Sequence, residues 1–111
     1  MAEPGITGIV AITCNYSDDG TQQSHRAGHK YVAAVREVAG ALPLLLPALG
    51  EDAPVAHLLD SVDGVLLTGG VSNVEPHRYG GDGSVECGPH DPLRDGLALG
   101  LARGAVERGL P

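Results

Sequence analysis

Three short apolar segments alternate with amphipathic segments, and this alternation constrains the fold more than any other feature of the sequence. The apolar segments, rich in Ile, Val and Leu, are predicted as strands over residues 6–13, 42–47 and 65–67. The intervening segments repeat apolar residues every three or four positions and are predicted as helices over residues 29–39, 52–61 and 92–108. Strands separated by helices predict a parallel sheet with right-handed crossovers.

The predicted helices begin and end at residues that suit helix termini. Asp52 and Asp91 are placed as N-caps, and Pro92 occupies the first helical position of the last helix. Gly40 and Gly109 follow the first and last helices, where a left-handed residue commonly ends a helix. These signals set the expected helix boundaries.

Composition and charge limit the class of protein. The chain has 111 residues with 42% hydrophobic residues, and we interpret it as part of one domain with no internal boundary over residues 1–111. A net charge of −7 argues against nucleic acid as a partner, because phosphate binding needs a basic face. The longest apolar stretch, residues 41–49, is short and contains two prolines, so no membrane span is expected. A cytoplasmic location is the default expectation, since two cysteines form no disulfide scaffold.

The third predicted strand ends at Gly69-Gly70, and this turn is the candidate functional feature. Open parallel sheets bind ligands outside the carboxyl ends of their strands, and glycine lets a ligand approach the main chain closely. An irregular loop predicted from Gly69 to Asp91 supports a binding role, although Gly-Gly also marks ordinary turns. A phosphate-binding loop is disfavoured, because neither a lysine nor a helix directly follows the glycines.

The cysteines and the histidines considered as zinc ligands are predicted to have no catalytic or metal-binding role. Cys14 begins a segment, residues 14–20, that is predicted as a loop after the first strand. Cys87 lies in an acidic loop where a thiolate is disfavoured, and neither cysteine is expected to be a nucleophile. A zinc site would need His25, His29, Cys87 and His90 to converge, and scattered surface positions are the preferred interpretation. No metal and no cofactor are therefore predicted.

Several blocks of the sequence resemble the gamma-glutamyl-gamma-aminobutyrate hydrolases, a branch of the class I glutamine amidotransferase-like superfamily. The densest match runs through Asp63-Gly64-Val65-Leu66-Leu67-Thr68-Gly69-Gly70 and Ser72-Asn73-Val74-Glu75-Pro76-His77-Arg78-Tyr79-Gly80. Further matching blocks are residues 9–15, 30–35, 39–43, 91 and 94–95. The similarity corresponds to the N-terminal portion of such a protein.

The resemblance implies a three-layer flavodoxin-like α/β fold, here incomplete, and cysteine-dependent hydrolysis of a small-molecule gamma-glutamyl amide. It implies that the backbone N–H of Gly70 is an oxyanion-hole donor and that Val71, Ser72 and Asn73 lie close to the bound glutamyl group. Asn73 and Tyr79 either hold substrate or close the loop by hydrogen bonds to the backbone. Arg94 is expected to tie this loop to the last helix. The nucleophilic cysteine, the histidine and the acidic residue of the triad are expected beyond the end of this chain.

The last predicted helix leads into Gly109-Leu110-Pro111, where a further strand is expected. The chain therefore reads as a partial domain whose open sheet edge allows self-association. Alone, it is expected to be inactive toward gamma-glutamyl amides. Two alternatives stay open, namely a truncated, non-catalytic module and a glutamine amidotransferase that delivers ammonia to a partner.

Overall fold

A three-stranded parallel sheet organises the protein, for which we analysed a computed structural model. The structure describes residues 7–69, 74, 76–80 and 90–111. The strands of this sheet are β1 (Ile9–Thr13), β4 (Leu42–Leu46) and β5 (Gly64–Leu66), in the order β4-β1-β5. Ala11 lies opposite Leu44 on one side and Val65 on the other, so all three strands run in the same direction. The predicted parallel sheet is confirmed, and the strand boundaries differ from prediction by at most three residues.

A β-hairpin follows β1, where the sequence predicted a loop. Strands β2 (Asn15–Asp18) and β3 (Gln23–Arg26) pair antiparallel, with Tyr16 opposite His25. The Asp19 carboxylate closes the turn by accepting hydrogen bonds from the Thr21 hydroxyl at 2.7 Å and from the Gln22 N–H at 2.9 Å. The loop prediction was wrong because the strands are short and polar, so they lack the apolar pattern by which strands are recognised.

Three α-helices and two other helical segments complete the described chain. They are α1 (His29–Ala33), a π-helical segment (Ala34–Ala39), α2 (Val55–Asp60), a 3₁₀ turn (Pro76–Tyr79) and α3 (Pro92–Arg108). Gly40 and Gly109 both adopt the left-handed conformation at φ 68°, which confirms them as helix terminators. Asp91 caps α3 as predicted. The predicted cap at Asp52 is wrong, because α2 begins at Val55 with Pro54 in the capping position.

The helices cover both faces of the sheet, which gives three layers. On one face, Leu59 of α2 packs with Leu97 and Leu101 of α3. On the other face, Ile12 of β1 packs with Val35 and Ala41. This layering agrees with the flavodoxin-like fold expected from the resemblance. Within the described parts of the chain, none of the helices combines the length and the apolar character needed to span a membrane.

The two outer strands of the described sheet differ in their surroundings. Along β4, Leu42, Leu44 and Leu45 keep between 41% and 51% of their surface exposed. Beside β5, the Val65 N–H donates to the Pro111 carbonyl at 3.0 Å, so the end of the chain lies alongside this edge. Self-association through a sheet edge stays a prediction.

Candidate functional site

Two threonines connect β1 and β5 at the carboxyl end of the sheet. The Thr68 N–H donates to Thr13 Oγ1 at 3.1 Å, and the Thr68 hydroxyl donates to the Thr13 carbonyl at 2.8 Å. Thr13 is 2% exposed, so these bonds lie in a largely dry environment. The pair fixes where the chain leaves β5 and therefore where the glycine turn begins.

Gly69 is held through both of its backbone polar groups. Its N–H donates to the Tyr31 hydroxyl at 3.1 Å, and its carbonyl accepts from Asn15 Nδ2 at 3.4 Å. The two supports come from different elements, since Asn15 begins β2 and Tyr31 belongs to α1. A Cβ atom on Gly69 would lie 3.4 Å from the Tyr31 hydroxyl, so the turn passes close to this ring.

Asn15 is connected in turn to the start of α3. Arg94 Nη1 donates to Asn15 Oδ1 at 2.6 Å, and Arg94 is only 8% exposed. The neighbouring Asp95 is 2% exposed and lies in the first turn of α3, where a negative charge interacts favourably with the positive end of the helix dipole. The sequence had suggested that Arg94 ties the loop to this helix, and the structure shows Arg94 bound to a residue that supports the turn.

Asp91 holds both sides of this contact. Its side chain accepts from the Arg94 N–H at 3.1 Å and from the Tyr16 N–H at 2.9 Å. Tyr16 directly follows Asn15, so one carboxylate positions the backbone next to Asn15 and the backbone of Arg94. The separation between the Asn15 and Arg94 side chains is therefore fixed by the hydrogen bonds that the Asp91 carboxylate accepts from the main chain.

The residues predicted to contact substrate lie mostly outside the described residues. Gly70, Val71, Ser72 and Asn73 fall there, so their roles stay predictions. Tyr79 ends the 3₁₀ turn, and the structure describes its backbone but not its side chain. What the structure brings together is the set of side chains that support the first glycine of the turn.

Cys14 has the environment of a structural cysteine. It directly follows β1, is 2% exposed, and its backbone N–H donates to the Leu46 carbonyl at 3.1 Å. Burial raises the pKa of the Cys14 thiol, which disfavours the thiolate that a nucleophile requires. Cys87 lies outside the described residues.

The histidines suggested for a zinc site do not form one within the described ranges. No group of three or more His, Cys, Asp or Glu side chains converges in the part of the chain that the structure describes. His25 Nδ1 instead accepts a hydrogen bond of 3.0 Å from the Ala48 N–H, and this bond joins the hairpin to the segment after β4. The contact gives His25 a structural role.

A cavity of about 460 Å³ lies at the opposite end of the sheet. Gly8, Asp63 and Gly64 line it, at the starts of β1 and β5. Asp63, its one ionisable side chain, accepts a hydrogen bond from the Ile9 N–H at 2.8 Å and so has a structural function. Because parallel α/β sheets bind ligands at the carboxyl ends of the strands, we place the candidate site at the glycine turn and not in this cavity.

Asn15 and Tyr31 are the site residues that sequence reasoning did not single out. Asn15 directly follows the strand that neighbours β5, and the carboxyl ends of parallel strands meet at one edge of a sheet. That rule could have placed Asn15 beside Gly69. Tyr31 gave no such signal, because its proximity to the turn depends on how α1 packs.

The fold and this turn define a parallel α/β domain of the class I glutamine amidotransferase type, with a supported glycine turn at the carboxyl edge of its sheet. The chain belongs to the Peptidase C26 family, whose family model matches residues 8–111. This result confirms the resemblance noted from the sequence.

Curated relatives agree with this family. The chain is 43% identical over 83 residues to the gamma-glutamyl-gamma-aminobutyrate hydrolase of Escherichia coli O157:H7, an alignment covering 74% of this chain and 32% of that protein. It is 37% identical over 57 residues to a glutamine amidotransferase-like protein of Lactococcus lactis subsp. cremoris, covering 51% of this chain and 30% of that protein. The chain thus spans about a third of the length of the relatives it matches.

Proposed function

We propose that this chain is the N-terminal part of a cysteine-dependent hydrolase of gamma-glutamyl amides, in which the Gly70 N–H stabilises the oxyanion. The observation that carries the proposal is the double support of Gly69 at the carboxyl edge of the sheet, by Tyr31 and Asn15. The names of the relatives, which include gamma-glutamyl-gamma-aminobutyrate hydrolases, support the substrate class.

The proposed chemistry is acyl transfer. A thiolate attacks the gamma-carbonyl carbon of the glutamyl group, the carbonyl oxygen takes up negative charge, and the amine leaves with a proton. Water then hydrolyses the thioester and releases glutamate. A backbone N–H aimed at the developing oxyanion stabilises both tetrahedral intermediates, and losing one such donor costs about 10²–10³ in rate. No step needs a cofactor.

The remaining catalytic groups are assigned to the part of the protein beyond this chain. The nucleophilic cysteine, a histidine and an acidic residue are proposed to follow Pro111, since the chain aligns with only 32% of the hydrolase from Escherichia coli O157:H7. Cys14 is unsuited to the role because it is buried and its thiol pKa is raised. Val71, Ser72, Asn73 and Tyr79 are proposed to contact the glutamyl group.

The test compares two substitutions at one position in the full-length protein that carries this chain. Gly70→Pro removes the backbone N–H, whereas Gly70→Ala adds a side-chain carbon and keeps the N–H. With gamma-glutamyl-gamma-aminobutyrate as substrate, we expect the proline variant to have a kcat about 100-fold or more below that of the alanine variant. Equal kcat values for the two variants would contradict the oxyanion role.

Two further measurements define the substrate and the role of this part. The 111-residue chain alone is expected to release no glutamate, and measurable hydrolysis by it would show that the nucleophile lies within these residues. The full-length protein is also assayed with glutamine. Faster release of ammonia from glutamine than of amine from gamma-glutamyl-gamma-aminobutyrate would replace the hydrolase proposal with an ammonia-delivering amidotransferase.

A further inference from the structure

The carbonyl of Gly69 and the N–H of Gly70 belong to one peptide group. A trans peptide is planar, and its C=O and N–H point in opposite directions. A hydrogen bond that fixes the direction of the Gly69 carbonyl therefore also fixes the direction of the N–H that follows it. Asn15 Nδ2 makes such a bond at 3.4 Å.

We propose that Asn15, held by Arg94, is a positioning residue that aims the Gly70 N–H at the oxyanion. The inference rests on the proposed function for what that N–H does, and on the described contacts for how it is aimed. Asn15 acts through the peptide group and is not proposed to touch the substrate.

Arg94 determines which way the Asn15 amide faces. A guanidinium group donates hydrogen bonds and accepts none, so the Asn15 atom at 2.6 Å from Arg94 Nη1 must be the carbonyl oxygen Oδ1. The amide nitrogen Nδ2 is then the atom turned toward the Gly69 carbonyl. The order donor, acceptor, donor, acceptor runs without conflict from Arg94 through Asn15 to Gly69.

The fold fixes the positions of both Asn15 and Arg94. Arg94 is 8% exposed, and its N–H donates to Asp91 Oδ1 at 3.1 Å. The other oxygen of the same carboxylate accepts from the N–H of Tyr16, the residue after Asn15, at 2.9 Å. Since Asp91 binds the main chain on both sides, Asn15 and Arg94 are held at a set separation.

Tyr31 provides a second point of attachment for the same turn. Its hydroxyl accepts from the Gly69 N–H at 3.1 Å, so Gly69 is bound at its amide as well as at its carbonyl. Two bonds on successive peptide groups restrict rotation about the Gly69 backbone more than either bond alone. Glycine needs such restraint, because its backbone is otherwise the most permissive of all residues.

The variant Asn15→Asp tests the Nδ2 donor separately from the contact between Asn15 and Arg94. Aspartate keeps an acceptor for Arg94 and places a second acceptor, in place of Nδ2, against the Gly69 carbonyl. In the full-length protein we expect kcat for gamma-glutamyl-gamma-aminobutyrate to fall about 10- to 100-fold, because misplacement by about 1 Å can cost 100-fold. KM is expected to change by less than about 3-fold, since an interaction confined to the transition state lowers kcat alone.

Gln22→Glu is the matched control. It makes the same change from amide to carboxylate on an exposed residue of the hairpin turn, away from Gly69, and is expected to leave kcat unchanged. If the wild-type protein is active and Asn15→Asp has the same kcat, the positioning role of Asn15 is overturned and the proposed function is left intact. A fall in kcat of the same size in both variants would also overturn it.

A measurement on the peptide group itself decides the inference even if the wild-type protein shows no hydrolysis. In ¹⁵N-labelled protein, the amide resonance of Gly70 is expected to shift in Asn15→Asp and to stay in place in Gln22→Glu. A Gly70 resonance that is unmoved by Asn15→Asp would show that Asn15 does not orient this peptide. Absence of hydrolysis would instead count against the proposed function alone.

Discussion

Asp91 Oδ2 accepts a hydrogen bond of 2.9 Å from the backbone N–H of Tyr16, which lies 75 residues earlier in the chain. Asp91 Oδ1 caps α3 through the Arg94 N–H at 3.1 Å. Asp91 is 6% exposed, so one buried carboxylate serves as a helix cap and as the link between α3 and the β2–β3 hairpin.

Replacing Asp91 tests this double role. Asp91→Ala removes both acceptors and is expected to lower the free energy of unfolding by about 2–3 kcal/mol, of which the lost cap supplies about 1 and the unsatisfied Tyr16 N–H the rest. Asp91→Asn keeps one acceptor oxygen, so a loss of roughly half that size is expected. Urea denaturation measures both values, and an alanine variant within about 0.5 kcal/mol of wild type would contradict the role of Asp91.

Gly96 lets α3 pack directly against the main chain before α2. A Cβ atom at this position would lie 2.5 Å from the Glu51 nitrogen and 2.9 Å from the Gly50 carbonyl carbon. Backbone cannot move aside as a side chain can, so Gly96→Ala is expected to destabilise the protein by about 1–3 kcal/mol, as overpacking does.

Gly100→Ala is the comparison for this prediction, because it lies in the same helix and faces only a methyl group of Val55 at 3.1 Å. Alanine favours a helix over glycine by about 1 kcal/mol, so this variant is expected to be near neutral or more stable. Thermal unfolding compares the two. The prediction fails if Gly96→Ala unfolds at the same temperature as Gly100→Ala or above it.

Asp19 makes the stability of the hairpin depend on pH. Hydrogen bonds from the Thr21 hydroxyl, and then from the backbone N–H groups of Thr21 and Gln22, lower the pKa of Asp19 to about 2. The folded pKa lies below the ordinary value of about 3.9, so the contribution is present above that value and is lost as pH falls through about 2.

A carboxyl ¹³C titration by NMR measures the pKa of Asp19 directly. Thr21→Val removes the largest cause of the shift and is expected to move the pKa of Asp19 back toward its usual value. Asp19→Asn should abolish the change in hairpin stability between about pH 4 and pH 2. An unaltered pKa in Thr21→Val would refute this explanation.

Cys14 is expected to react slowly with thiol reagents. It is 2% exposed, and burial raises the pKa of its thiol, so both access and the thiolate fraction are reduced. In a Cys87→Ser variant of the 111-residue chain, where Cys14 is then the only thiol, alkylation by iodoacetamide at pH 8 should be at least about tenfold slower than after unfolding in guanidinium. Equal rates would contradict this picture of Cys14, and Cys14→Ser is expected to retain the activity of the full-length protein.

The parts of the fold predicted correctly are those where local pattern and burial agree. Strand β1 and helix α3 show this, since the helix has its capping residue, its N-terminal proline and its terminal glycine where the sequence placed them. Within α3, Leu97 and Leu101 are each 1% exposed, whereas the apolar Val106 is 80% exposed. Helical spacing identifies a face, but tertiary packing determines how much of that face is covered.

The π-helical segment shows a second kind of failure. The sequence predicted one amphipathic helix over residues 29–39, with apolar residues such as Val35 and Val38 on one face, whereas Val35 is buried and Val38 is 87% exposed. At its end, the Gly40 N–H bonds to the Val35 carbonyl, five residues back, so the turn is wider than in an α-helix and side chains rotate off the expected face. Nothing in the local pattern distinguishes this geometry from an α-helix.

The sequence indicated the position of the candidate glycine turn but not the residues that support it. The glycine turn and its place at the carboxyl edge of the sheet followed from the strand that ends before Gly69. The supports at Tyr31 and Asn15 were not predicted, because they reach the turn from two separate elements, α1 and β2. The residues chosen for substrate contact after Gly69 stay predictions.

The two hydrogen bonds that hold Gly69 join residues 38 and 54 positions apart in the chain, and the hydrogen bond from Arg94 to Asn15 joins residues 79 positions apart. The shape of the turn therefore depends on contacts with α1, β2 and α3, which lie far from it in the sequence. A peptide grafted from this region onto another scaffold would carry both glycines and leave every anchor behind. Any redesign that borrows the turn must transplant α1, the start of β2 and the first turn of α3 with it.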